Sequence, residues 1–100
     1  FSNFHADKVF MGSHGCGLKS GATVPEIMDA NVKRTILHAA KQKILLADNT
    51  KFDQTYLMKY ADLSEFDYLI TDNSMDKKYC MQLKKIVENV ITAGNENNSR

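Results

Sequence analysis

Tryptophan is absent from this 100-residue sequence, proline occurs once, and cysteine occurs only at Cys16 and Cys80. Two cysteines without C-x-x-C spacing exclude a small disulfide-stapled scaffold, and they fall short of the roughly four ligands a structural zinc site takes. They are expected as free thiols of a reducing cytoplasm. Neither sign of charge dominates, since 13 Lys and Arg against 12 Asp and Glu leave a net charge of +1. That balance lacks the basic patch that drives nucleic-acid binding by counterion release, and the polybasic segment that a membrane surface attracts. No apolar run approaches the roughly 18 residues of a membrane span, and residues 1–10 lack the regions of a secretory signal. Internal repeats and low-complexity linkers are missing too. Phe1 stands where an initiator Met would, so the sequence is expected to begin inside a longer polypeptide.

Apolar residues make up 43% of the chain, enough for a core. Three short, continuous apolar runs carry it: Val9-Phe10-Met11, Ile44-Leu45-Leu46-Ala47 and Tyr68-Leu69-Ile70-Thr71. Runs of this length without alternation read as strands buried on both faces, the signature of a parallel sheet. Strands are expected at Lys8–Met11, Lys43–Ala47 and Tyr68–Thr71. Between and after them lie helical patterns. Val24–Lys41 places Met28, Val32, Ile36 and Ala39 or Ala40 on one face, with a capping-box spacing from Thr23 to Glu26, Pro25 in the first turn, and Lys41 and Lys43 at the negative pole. Asp53–Tyr60 reads as a shorter helix. Asp76–Thr92 reads as a long one with Tyr79, Leu83, Ile86, Val87 and Val90 on one side, capped by Ser74 or Asn73 and ended by Gly94. The expected fold is α/β, with Rossmann-like layers of about three parallel strands and helices on the sheet faces. One domain over 1–93 and a disordered, apolar-free tail over 94–100 complete the expected organisation.

In such a sheet ligands bind beyond the carboxyl ends of the strands, so the residues after each run are informative. They are Gly12-Ser13-His14-Gly15-Cys16-Gly17, Asp48-Asn49-Thr50-Lys51, and Thr71-Asp72-Asn73-Ser74. A rim of glycines, carboxylates, a lysine, hydroxyls and amides suits a small, hydroxylated, anionic ligand. Glycines at 12, 15 and 17 do not fit G-x-G-x-x-G, so a dinucleotide site is not expected; they equally suit a tight turn. His14 and Cys16 have no evident partners for metal or nucleophile chemistry, and no cofactor is expected. Asp48 either caps the turn after its strand or accepts hydrogen bonds from a polyol, while Lys51 offers a point charge for phosphate. Asp72 reads as a cap for the last helix.

Several motifs in one order resemble the DeoR-type regulators of sugar metabolism. They are Ala6-Asp7-Lys8-Val9-Phe10-Met11-Gly12, Gly15, Gly17, Gly21-Ala22-Thr23, Val32-Lys33-Arg34, Leu46-Ala47-Asp48-Asn49-Thr50-Lys51-Phe52 and Leu69-Ile70-Thr71-Asp72. The stretch from about Asp7 to Asp72 is similar to the later part of that family's effector-sensing domain. The resemblance implies a fold related to ribose-5-phosphate isomerase and coenzyme A transferases, and a phosphorylated sugar as effector. It places effector recognition on Asp48 and Lys51, with the glycine loop on Gly12 and Gly15. It further implies a bacterial, cytoplasmic, homo-oligomeric transcriptional regulator, expected to be a repressor. Operator DNA would be bound through an N-terminal helix-turn-helix that this sequence does not contain, and the phosphate-cradling loop of the earlier half is not in it either. Rival readings are a sugar-phosphate isomerase using Asp48 as general base, and a dimerisation module whose polar rim is only solvated surface.

Overall fold

A computed structural model describes residues 6–93 of the chain. The expected tail over 94–100, and the C-cap expected of Gly94, lie outside the described residues. All three apolar runs form strands of one parallel sheet: β1 (Ala6–Gly12), β4 (Ala40–Leu46) and β6 (Tyr68–Asp72). A fourth strand, β7 (Asn89–Ala93), extends the order to β1-β4-β6-β7. Met11, Leu45, Leu69 and Val90 form one register row on the face that packs into the core. Met11, Leu45 and Leu69 are buried there with Leu37 and Leu83 of the two helices.

β7 occupies part of the long helix expected over Asp76–Thr92. Helix α2 spans only Lys77–Lys84, and Ile86 and Val87 close it with turn-like bonds back to Leu83. Asn89-Val90-Ile91-Thr92 is rich in β-branched residues, and the open edge of β6 offers it a hydrogen-bonding ladder that a longer helix would forgo. The cap of α2 is neither Asn73 nor Ser74 but Asp76, whose carboxylate accepts from Tyr79 N–H at 3.1 Å.

Helix α1 spans Ile27–Ala39, shorter at both ends than the 24–41 pattern. Thr23 does not cap it. It lies in a buried strand, β3 (Gly21–Val24), where its hydroxyl accepts from Tyr56 N–H at 3.0 Å. Glu26 takes the N-cap position without a side-chain bond, which puts Pro25 just before the helix, and Lys41 and Lys43 fall in β4. Ala30 and Leu37 are buried in the core and Ile36 packs against it as expected, with the Lys33 ammonium 5.9 Å from the centre of the Tyr60 ring. Met28 and Val32 are exposed instead. Small Ala30 lets the first turns of the helix approach closely, and the wider Ile27, Met28 and Val32 beside it are left outside.

A second, antiparallel sheet was not legible in the runs. It contains β2 (Gly15–Gly17), β3 and β5 (Met58–Ala61) in the order β2-β3-β5, so the helix expected over Asp53–Tyr60 is replaced by loop and strand. Tyr60 and Ala61 of β5 are fully buried beside Cys16, Ala22 and Val24. Burying that row outweighs the weak local preference of an eight-residue helix.

Candidate functional site at the carboxyl rim of the parallel sheet

Parallel pairing brings the ends of β1, β4 and β6 to one rim, with Gly12 opposite Leu46 and Leu46 opposite Ile70. An open groove of about 380 Å³ lies over the ends of β4, β6 and β7, lined by Leu46, Asp48, Ile70, Asp72 and Ala93 among others. Chain direction reverses after Ala47 into a single 3-10 turn, Asn49–Lys51. Asp48 caps that turn. Its Oδ1 accepts from Thr50 N–H at 3.0 Å and from the Thr50 hydroxyl. The capping role expected of Asp48 is the one the structure shows.

Asp72 does not cap α2. Its carboxylate accepts from Asn49 N–H at 3.0 Å and from both the backbone and the hydroxyl of Ser74, so it ties the loop after β4 to the loop after β6. These bonds, that from Asn49 foremost, hold its carboxyl below the usual carboxylate range. Among the described residues, two carboxylates and no cation line the groove. Lys51 closes the 3-10 turn, donates its N–H to Asp48 O at 3.0 Å, and has no ion-pair partner among the described residues. Its charge is felt on the other side, at the Cys16 thiol.

The two glycines differ. Gly12 is exposed, and a methyl group built there meets nothing within 4 Å. Its carbonyl is fixed by the Tyr60 hydroxyl, which donates at 2.9 Å from β5. Gly15 is buried, and a Cβ there would sit 2.3 Å from the carbonyl oxygen of Gln54. Close backbone packing alone requires Gly15. Ser13, between them, has its hydroxyl 2.7 Å from Gly15 O and 3.0 Å from Thr23 O, which pins the loop to the second sheet. Sequence reasoning missed the roles of Ser13 and Tyr60, because the partners of Ser13, and Tyr60 itself, lie on a sheet it did not foresee.

Cys16 and Cys80 are free thiols. Burial pushes the Cys16 thiol up to about 11, so it is no thiolate nucleophile near neutrality. His14 packs edge-on against Tyr56, with ring centres 5.9 Å apart. Among the described residues no group of three or more His, Cys, Asp or Glu is placed to hold a metal ion. No helix among them is long and apolar enough to cross a membrane.

The DeoR C-terminal sensor domain matches residues 1–73. The chain belongs to the DeoR family. Among its relatives, the transcriptional repressor GlcR of Bacillus subtilis is 38% identical over 96 residues, which cover 95% of this chain and 37% of that protein. The regulator IolR of the same organism is 30% identical over 76% of the chain and 30% of its own length. The deoxyribose operon repressor of Escherichia coli is 27% identical over 78% of the chain and 31% of its own length. This DeoR-type chain thus spans about a third of the curated relatives it matches. Those relatives are transcriptional regulators.

Proposed function

We propose that the chain is the effector-sensing part of a cytoplasmic bacterial regulator of sugar catabolism, a repressor, whose effector is a phosphorylated sugar. The carrying observation is the rim: Asp48, whose cap of Thr50 uses one carboxylate oxygen, and Lys51, without an ion-pair partner among the described residues, belong to one short turn at the carboxyl ends of parallel strands. A carboxylate reads sugar hydroxyls as an acceptor, and the ammonium supplies a point charge for phosphate. Gly12 offers open backbone beside them, and Gly15 shapes the loop that follows. In the homo-oligomeric regulator, a sugar phosphate that binds one arrangement better lowers the operator affinity of separate DNA-binding heads by linkage. Chemistry on the sugar is not part of this reading, and every relative named above is a regulator by name.

Calorimetric titration of a sugar-phosphate panel (ribose, glucose and fructose phosphates) against wild type and Lys51→Ala tests the assignment. Losing a charge-assisted contact weakens binding by about 1.5–3 kcal/mol, a tenfold change or more. Equal affinity in both proteins removes Lys51 from the site.

A further inference from the structure

Two threonines are buried, and the fold treats them differently. Thr23 has its hydroxyl fully employed: it donates to Gly15 O at 3.3 Å and accepts from Tyr56 N–H at 3.0 Å. Thr71 is 3% exposed, and its hydroxyl has no hydrogen-bond partner among the described residues. An enclosed hydroxyl without a partner costs stability and is rare enough in folded proteins to need a reason. Its position supplies one. Thr71 lies near the carboxyl end of β6, on the same side of the strand as buried Leu69, and it lines the rim groove with Ala47, Asp48 and Asp72. Ala47 has no side-chain group to offer it.

The rest of that groove is made of acceptors. An ionised carboxylate accepts and cannot donate, and the bonds from Asn49 and Ser74 hold Asp72 in its ionised form. No cation lines the groove among the described residues. Lys51, in the same turn as Asp48, acts on the side of Cys16 instead. The uncharged, hydroxyl-bearing end of a ligand brings the donors that these carboxylates lack, and its oxygens can accept from Thr71. A phosphate or carboxylate brings only further acceptors and a like charge.

We propose that Thr71 is a specificity-determining residue of the rim: its hydroxyl is completed by a hydroxyl of the bound sugar, and with Asp48 and Asp72 it makes the groove the seat of the sugar's uncharged end. The inference rests on the reading of the rim as an effector site and adds an orientation to it. The phosphate lies toward Lys51, the far hydroxyls lie over the ends of β4 and β6, and a second anionic group at the far end is refused. The ligand class is therefore a sugar monophosphate, neither a bisphosphate nor a phosphorylated sugar acid. One staggered step about χ1 re-aims the Thr71 hydroxyl with no hydrogen bond to break.

The experiment measures stability and binding on the same proteins: wild type, Thr71→Val and Thr71→Ser. Valine keeps the shape of threonine and removes the hydroxyl, so the melting temperature of Thr71→Val should stay level or rise. A fall as large as a core substitution gives would show the hydroxyl bonded inside the fold, which overturns the proposal. Calorimetric titration then uses glucose 6-phosphate, fructose 6-phosphate and ribose 5-phosphate, with 6-phosphogluconate and fructose 1,6-bisphosphate as the doubly anionic analogues. Thr71→Val should bind the monophosphate that wild type prefers about tenfold more weakly, and Thr71→Ser should retain most of the affinity. Wild type should bind the doubly anionic analogue at least tenfold more weakly than its monophosphate. Equal binding by wild type and Thr71→Val, or of the two ligand types by wild type, overturns this inference and leaves the effector reading standing. Failure of wild type to bind any member of the panel takes down the effector reading and this inference with it.

Discussion

Gly12 and Gly15 stand three residues apart in one loop and answer to different constraints. A Cβ at Gly15 would lie 2.3 Å from the backbone carbonyl of Gln54 and 2.9 Å from the Thr23 hydroxyl of the second sheet. Gly15→Ala should therefore cost about 1–3 kcal/mol or more by overpacking, seen as a lowered urea midpoint. Gly12→Ala should leave that midpoint unchanged or slightly raised, because the added methyl enters open space and narrows the unfolded ensemble. A weakened effector at unchanged stability would then mark Gly12 as a ligand contact. Tyr60 fixes the same loop from below, through its bond to the Gly12 carbonyl. Tyr60→Phe removes that donor and should lower stability by about 1 kcal/mol in thermal denaturation. No loss would mean the carbonyl finds solvent as readily.

At the scale of elements, the disputed segment is 85–93. Helical periodicity through Val90 is real on paper, since Leu83, Ile86, Val87 and Val90 share a helix face. The fold spends those residues differently: Leu83 and Val87 close the core beneath α2, and Val90 pairs beside Leu69 on the sheet. Backbone chemical shifts of Asn89–Ala93 should be extended, with helical shifts ending near Lys84. Helical shifts through Thr92 would restore the longer helix and reduce the sheet to three strands. Short apolar segments fit either element locally, and the free edge of β6 decides between them.

For the whole molecule, pH tests how the core holds its neutral acids. Burial raises the Cys16 thiol from 9.0 to about 11, and burial with the neighbouring Asp53 raises the Tyr79 phenol from 10.0 to about 12. The unfolded chain loses these protons first, so their contribution is complete below about pH 9 and fades as pH rises through 11 to 12. Asp72, held below 3.8, works in the other direction: its contribution is complete above that value and fades as pH falls through its lower folded value. Urea midpoints should be level from pH 5 to 8.5 and decline on either side. Replacing Cys16 with Ala should soften the alkaline decline in its first two units, and an identical profile would assign that decline elsewhere.

Three of the four strands of the parallel sheet, their direction and the shared rim of Gly12, Asp48 and Asp72 were determined by the sequence itself. Continuous apolar runs have few uses in a chain of this length, and parallel pairing gathers their ends without any specific contact. Thr23, Met58–Ala61 and Asn89–Ala93 were decided only by tertiary structure. Each sits in a segment too short for local preference to choose its state, and each became a strand because a partner's unpaired edge or a buried row was there to receive it. The Asp72 bridge between loops and the Tyr60 bond to Gly12 join residues 23 and 48 positions apart, separations that no local pattern encodes. Composition fixed that there would be a core, and topology fixed which face of the sheet would carry both helices and the second sheet.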